Sequence, residues 1–70
     1  MITENDRRLG RRIQKLRKDK GLTQEDIAYK VNLSTKYIQF IEGGSRIPSL
    51  KALYKIARVL EVRVSELFPF

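Results

Sequence analysis

The 70-residue sequence contains no cysteine, no histidine and no tryptophan. Without cysteine the chain has neither a disulfide framework nor a thiolate site for a metal. Without histidine it also lacks the commonest general base and the commonest metal ligand of proteins. No serine therefore has an imidazole to activate it, and no carboxylate pair is placed for acid–base chemistry. We expect no enzyme activity, no catalytic residue, no metal and no cofactor.

Long apolar segments are missing as well. No run approaches the roughly 20 apolar residues of a membrane-spanning helix, and the first residues do not form a signal-peptide pattern. A cytoplasmic location is therefore expected by default. The length predicts a single domain over residues 1–70, with no additional domain for a small-molecule effector. A chain this short buries only about 60% of its unfolded surface, so dimerisation would add stability.

Positive charge is abundant and unevenly distributed. The chain has 15 lysines and arginines against 8 acidic residues, a net charge of +7 and a pI near 10.2. This balance predicts a polyanionic partner, either nucleic acid or an anionic membrane surface. The net charge is +5 over residues 1–20, −1 over residues 21–42 and +3 over residues 43–70. Attraction to phosphates would therefore come largely from the segments around the middle of the chain.

Residues 23–43 organise the chain as two short helices joined by a tight turn. Thr23 can cap the first helix, with Asp26 in its first turn. Asn32 tolerates the left-handed backbone that the turn needs, Ser34 can cap the second helix, and Gly43 can end it. The apolar positions that would hold the two helices together are Ile27, Ala28, Val31, Leu33, Ile38 and Ile41. This spacing predicts a helix-turn-helix, whose second helix can lie in the major groove of DNA.

The flanking segments also read as helices. A first helix should begin at Thr3 or Asn5 and stop at Gly21, with an apolar stripe of Leu9, Ile13 and Leu16. A loop over residues 43–48 precedes a cap at Ser49. The next helix has Leu50, Leu53, Ile56, Ala57 and Leu60 at helical spacing, and a short turn follows from Val64 to Phe68. The predicted fold class is all-α.

Three motifs in this order carry a family resemblance: LRKDKGLTQEDIA, YIQFIEGGSRIPSL and LEVRVSELF. From roughly Leu9 to Phe68 the chain resembles the phage repressor and Cro-like (Xre-type) helix-turn-helix family. The resemblance implies a compact five-helix lambda-repressor-like domain, in which helices 2 and 3 form the motif. It further implies a transcription regulator that binds a pseudo-palindromic double-stranded DNA operator as a homodimer. The pattern EDIAYK with KYI also resembles controller proteins of restriction-modification systems.

The same resemblance implies a set of DNA-binding residues and an ion pair. The DNA-binding set is Gln24, Ser34, Thr35, Lys36, Tyr37, Gln39, Phe40, Ser45 and Arg46. Gln24 would bond a phosphate, and the outer face of helix 3 would read bases. Arg17 and Glu42 fall where the family pairs helices 1 and 3. The sequence departs from the family where Asn32 replaces the turn glycine, where Thr35 replaces Gln or Arg, and where Phe40 occupies a usually polar site.

Each candidate has an alternative role. Lys36 could bond guanine O6 or N7, or only a phosphate, and Thr35 could contact a base edge or only the backbone. Tyr37 could bond a phosphate or only pack. Gln39 could pair with adenine or be an idle exposed residue, and Phe40 could touch a thymine methyl or lie at the edge of the core. For self-association the apolar candidates are Val62, Leu67, Phe68 and Phe70.

Two other functions are compatible with the same sequence features. An antitoxin-like or anti-repressor protein-interaction module would use the same fold, and Phe40 and the apolar tail at residues 67–70 favour it. A membrane-surface peptide would use the basic charge, but helix 1 lacks the aromatic residues that such helices usually carry. We therefore expect no membrane partner. Strong salt dependence would distinguish DNA binding from an apolar protein contact.

Overall fold

The computed structural model describes residues 2–70, and this part of the chain contains only helices, turns and loops. Four α-helices follow one another: α1 at Glu4–Asp19, α2 at Gln24–Val31, α3 at Thr35–Glu42 and α4 at Leu50–Leu60. The fifth helix of the predicted fold is only a four-residue 3₁₀ turn, Val64–Leu67. The all-α prediction therefore agrees with the structure, whereas the count of five helices is met only if this single turn is included. No helix within the described range is long and apolar enough to cross a membrane.

All four α-helices begin with a hydroxyl cap. Thr3 and Thr23 each accept a hydrogen bond from the amide of an aspartate three residues later, and that aspartate accepts one from the threonine amide in return. Ser34 Oγ accepts from the amide of Tyr37 at 3.0 Å. Ser49 Oγ accepts from the amide of the residue three positions later at 3.1 Å. These caps satisfy backbone donors that have no partner inside the helix, so they fix where each helix starts.

The turn between α2 and α3 has the predicted backbone. Asn32 ends α2 with φ 57° and ψ 46°, in the left-handed region, and its amide donates to carbonyls in the preceding turn. Glu61 ends α4 in the same region, with φ 60°. The left-handed backbone is unfavourable for most residues other than glycine, and asparagine tolerates it best. Asn32 therefore allows α3 to leave α2 sharply and to lie across it.

The core contains apolar residues from every helix. Side chains that are almost fully inaccessible to solvent include Ile13, Ile27, Ile38, Ile56 and Leu67. Ala28, predicted to lie at the crossing of α2 and α3, is 2% exposed. Leu50, predicted for the apolar stripe of α4, is 60% exposed. Leu50 is the first residue of α4 and does not belong to the buried side of this helix.

Gly10 sets the distance between α1 and the end of α3. A Cβ atom at Gly10 would lie 2.3 Å from the carbonyl oxygen of Ile41 and 2.7 Å from that of Glu42. No side chain fits at such distances, so the two backbones touch directly. α1 thus packs against α3, α2 packs against both α3 and α4, and the 3₁₀ turn packs against α1 and α4. The sequence analysis did not identify this role of Gly10.

Candidate nucleic-acid interface

The outer face of α3 carries the side chains that are free to contact a partner. Ile38, Ile41 and Glu42 of this helix point into the protein and are buried. On the other side, Lys36 and Gln39 are exposed, and Phe40 is 40% exposed. We call Thr35, Lys36, Gln39 and Phe40 the reading surface.

Two shallow hollows flank α3 and bring most of the predicted DNA-binding residues together. One is lined by Leu33, Ser34, Lys36, Tyr37, Phe40 and Arg46. The other is lined by Arg17, Gly21, Leu22, Thr23, Gln24, Glu25, Thr35 and Gln39. Among the nine predicted residues, only Ser45 lines neither hollow. Its hydroxyl donates to the carbonyl oxygen of Phe40 at 3.3 Å and so closes the turn after α3.

A buried polar network supports the second hollow. Arg17 Nε donates to Glu42 Oε2 at 2.7 Å, and Arg17 Nη2 donates to Oε1 of the same carboxylate at 3.0 Å. The two residues are only 6% and 5% exposed. Arg17 Nη1 also donates to the carbonyl oxygen of Leu22 at 2.7 Å. This bidentate pair ties α1, the α1–α2 loop and α3 to one another.

Gln24 extends the network toward the reading surface. Its Nε2 atom donates to Glu42 Oε1 at 3.0 Å. A side-chain amide nitrogen has two hydrogens, so Gln24 keeps one donor and its carbonyl oxygen for another partner. Thr35 and Gln39 line the same hollow. The buried ion pair therefore positions the first residue of α2 beside the outer face of α3.

Tyr37 and Arg46 form a second supported unit. The phenol oxygen of Tyr37 accepts from the amide of Ser49 at 3.2 Å, which links α3 to the start of α4. The guanidinium of Arg46 lies over the Tyr37 ring, 5.2 Å from its centroid, a cation–π geometry. The phenol proton and the guanidinium hydrogens remain available to anionic groups. Tyr37 therefore packs on the protein and can still donate a hydrogen bond outward.

The cations of α1 are largely engaged within the protein. Arg7 and Arg11 pair with Glu4, and Lys15 pairs with Asp19. The Arg11 guanidinium lowers the pKa of Glu4 by hydrogen bonding and by its charge. The Lys20 ammonium lowers the pKa of Glu61 in the same way. By contrast, Lys36 and Arg46 have no carboxylate partner among residues 2–70.

The C-terminal segment is held against α1 by two arginines. Arg12 Nε donates to the carbonyl oxygen of Glu66 at 3.0 Å, and Arg8 Nη2 donates to that of Pro69 at 3.1 Å. Arg8 also lies over the Phe70 ring, 5.5 Å from its centroid. Contacts of this kind cannot be read from the sequence, because the partners of Arg8 and Arg12 lie more than 50 residues later in the chain.

The structure corrects one predicted self-association residue and shows other apolar side chains to be exposed. Leu67 is wrong as a dimer candidate, because it is fully buried in the chain's own core between α1 and α4. Val62 and Phe68 are half-buried, and Phe70 is 56% exposed. A further exposed apolar stripe, missed by sequence reasoning, contains Ile47, Leu50 and Tyr54, which are 53%, 60% and 57% exposed. The spacing of three and four residues was the available signal, but it resembled that of a core stripe.

Known proteins share the sequence pattern and the fold of this chain. A family profile described as helix-turn-helix matches residues 13–67. The chain belongs to this helix-turn-helix family. An uncharacterized HTH-type transcriptional regulator of Archaeoglobus fulgidus is 46% identical over 59 residues, which is 84% of each chain.

Solved helix-turn-helix structures superpose on the whole domain. The restriction-modification controller protein C.AhdI of Aeromonas hydrophila gives a TM-score of 0.92 at 35% identity, over 94% of this chain and 100% of that chain. SinR, described as the master regulator for biofilm formation and crystallised in complex with DNA, gives a TM-score of 0.81 at 35% identity. That match covers 84% of this chain and 95% of the SinR chain. The resemblance drawn from the three sequence motifs is confirmed at the level of the family.

Proposed function

We propose that the chain is a transcriptional regulator that binds double-stranded DNA sequence-specifically, with α3 in the major groove. The main support for this proposal is that α3 has a buried inner face and an outer face whose side chains are free to bind. Its inner face is fixed by the core, while the side chains of Thr35, Lys36 and Gln39 make no hydrogen bond or ion pair within residues 2–70. The family relationship and the SinR complex with DNA support the same conclusion.

Each residue of the reading surface suits a different base edge. Lys36 donates to guanine O6 and N7, and Gln39 bonds adenine N6 and N7 in a bidentate fashion. Thr35 offers a hydroxyl to a base edge and a methyl group to thymine, and the Phe40 ring offers apolar contact to the thymine methyl.

Phosphate contacts hold α3 in register. Gln24 and Arg46 lie at opposite flanks of the reading surface, each supported by the protein as described above. The Ser34 hydroxyl and the first backbone amides of α3 add donors for a phosphate. Such contacts position the domain without reading sequence, whereas the reading surface specifies it.

We further propose that the protein binds a pseudo-palindromic operator as a homodimer. Two copies of α3 then address half-sites about one helical turn, roughly 34 Å, apart. The stripe of Ile47, Leu50 and Tyr54 is the preferred contact, because Leu67 is buried and Phe70 is engaged by Arg8. Sedimentation tests this surface: Leu50→Glu should shift the protein to monomer. A Leu50→Glu variant that sediments like the wild type would exclude the stripe.

DNA-binding measurements test the proposed function. A fluorescent duplex enriched from a random pool is titrated with the wild type, with Lys36→Ala and with Lys18→Ala. Lys18 is an exposed α1 cation with no ion-pair partner in residues 2–70, so it controls for net charge. Lys36→Ala should weaken binding by about 1–3 kcal/mol and relax the preference at one base pair. Lys18→Ala should do neither.

Two other outcomes of the DNA-binding measurements would lead to different conclusions. If no sequence is enriched and binding is insensitive to salt, the antitoxin-like or anti-repressor alternative is favoured. In that case Phe40, which is 40% exposed beside Leu33 and Tyr37, would contact a protein partner. Equal losses for Lys36→Ala on all DNA sequences would assign Lys36 to a phosphate.

A further inference from the structure

The outward face of α4 carries a cationic cluster that the reading surface does not include. Lys51, Tyr54, Lys55 and Arg58 line one shallow hollow. Lys55 and Arg58 also line a second hollow, together with Lys30, Val31, Asn32 and Val59. Because the two hollows share two cations, they form one continuous surface. We call the four cations Lys30, Lys51, Lys55 and Arg58 the α4 surface.

The four cations of the α4 surface have few acidic neighbours. One is Asp26, whose pKa is lowered by hydrogen bonds from Thr23 and, to a smaller extent, by the charge of Lys30. No acidic side chain lines either hollow. Within residues 2–70, none of the four makes an ion pair. On α1, by contrast, three cations pair with exposed carboxylates, and a fourth, Arg17, pairs with the buried carboxylate of Glu42. Within the described range, α4 thus presents three cations without an ion pair and no acidic residue of its own, and Lys30 adds a fourth cation from α2.

The α4 surface is separate from the reading surface. The hollows beside α3 and those on α4 share no lining residue. α2 packs against both helices, and α4 directs Ala52, Leu53, Ile56, Ala57 and Leu60 into the core. Its cations lie on the opposite side of that stripe. A DNA segment held by α3 therefore leaves the α4 surface open to another partner.

We propose that the α4 surface binds the phosphate backbone of a second segment of duplex DNA, without reading its sequence. Lys51, Lys55 and Arg58 follow one another at four and three residues, rises of roughly 6 and 4.5 Å along a helix. A polyanion with closely spaced charges matches such a row.

The composition of the α4 surface favours nucleic acid over other anionic partners. Protein interfaces are depleted in lysine and depend on apolar anchors seated in pockets, whereas three of the four cations here are lysines. The hollow at Lys51 and Tyr54 has no aliphatic lining residue. An anionic membrane would require several exposed apolar residues on the same face to enter the lipid. The apolar residues that line the two hollows are Tyr54, the buried Val31 and the half-buried Val59.

A bridging assay with a matched control tests this proposal. Operator duplex is immobilised and saturated with protein, and capture of a fluorescent duplex without the operator sequence is measured. The test variant is Lys55→Gln/Arg58→Gln. The control variant is Lys18→Gln/Arg63→Gln, which removes the same charges from exposed residues that lie outside the α4 surface and have no ion pair. The wild type and the control should capture the second duplex, and the test variant should not.

Salt titration provides a second readout that does not require an operator. For the operator-free duplex, the slope of log affinity against log salt should fall by about 1.8 in the test variant, about 0.9 for each phosphate contact removed. The control should keep the wild-type slope. This measurement remains informative if no operator exists, so failure of the proposed function and failure of the α4 surface are distinguishable.

Several outcomes would overturn the proposal. Equal loss of capture in the two double variants would mean that only net charge matters, and equal retention would mean that Lys55 and Arg58 are not needed for capture. An unchanged salt slope in the test variant would exclude phosphate contacts at Lys55 and Arg58. If the test variant instead loses binding to poly-glutamate while it keeps the operator-free duplex, the surface takes an acidic protein segment and not DNA.

Discussion

Disruption of the buried ion pair between Arg17 and Glu42 should destabilise the fold severely. Glu42→Leu leaves a guanidinium that is only 6% exposed without its carboxylate. Removal of one partner of a buried pair costs about 3–5 kcal/mol, because the other charge stays buried and uncompensated. A chain of this length has a total stability of roughly 4–10 kcal/mol, at about 0.05–0.15 kcal/mol per residue. A single substitution therefore removes about half of it.

The paired substitution should behave differently. In Arg17→Met/Glu42→Leu both charges are gone, and apolar replacement of a whole buried pair is often neutral or stabilising by about 1–4 kcal/mol. The double variant should consequently be more stable than either single variant. The double variant also loses the hydrogen bond from Arg17 to the Leu22 carbonyl. Its free energy of unfolding therefore need not reach that of the wild type.

Urea denaturation followed by circular dichroism measures these free energies in a double-mutant cycle. The matched control is Lys15→Met at the exposed pair with Asp19, whose side chains are 67% and 59% exposed. Exposed pairs of this kind contribute up to about 1 kcal/mol. If Arg17→Met and Glu42→Leu each cost no more than Lys15→Met, or if their costs simply add, the argument from burial is wrong.

Three further predictions concern packing, pH and the α2 cap. Gly10→Ala should lower the free energy of unfolding, measured in urea, by about 1–3 kcal/mol, because the added methyl group overpacks against the Ile41 carbonyl. Alanine is intrinsically the better helix former by about 1 kcal/mol, so this effect opposes the expected loss. A stabilised variant would contradict the close contact between the two backbones. Asp26 accepts hydrogen bonds from the amide and hydroxyl of Thr23, and these lower its pKa. The folded state therefore binds a proton at Asp26 less readily than the unfolded state does. The stability that the Asp26 carboxylate contributes is complete above its pKa in the unfolded state and is lost as pH falls through its pKa in the folded state. Thr23→Ala should move the Asp26 pKa back toward its ordinary value in a carboxyl NMR titration, and an unchanged pKa would exclude the cap as its cause.

Local sequence signals were sufficient for the starts of α2, α3 and α4, and they limited the cap of α1 to Thr3 or Asn5. Thr3, Thr23, Ser34 and Ser49 are caps whose hydrogen bonds close within three residues, so their sequence context already contains the partner. Asn32 could be assigned to the turn because few residues tolerate its backbone angles. These features depend on neighbours in the chain, and the sequence displays those neighbours directly.

Features that depend on distant parts of the chain were missed or misassigned. The role of Gly10 requires the α3 backbone to lie against α1, 31 residues later in the chain. Leu67 and Leu50 are chemically alike, yet one is fully buried and the other is 60% exposed. Only the three-dimensional arrangement of α1 and α4 decides which of them is covered. The same limit applies to Arg8 and Arg12, whose partners are carbonyl oxygens of the C-terminal segment.

The central claim is that the outer face of α3 reads DNA sequence. Parallel selection from one random duplex pool tests it most directly, with the wild type and with Gln39→Ala, whose side chain is exposed and makes no contact that supports the fold. For the wild type we predict a two-fold symmetric site with half-sites about one helical turn apart, and for the variant a loss of preference at one base pair per half-site. An identical consensus for both proteins, or no consensus for the wild type, would contradict it.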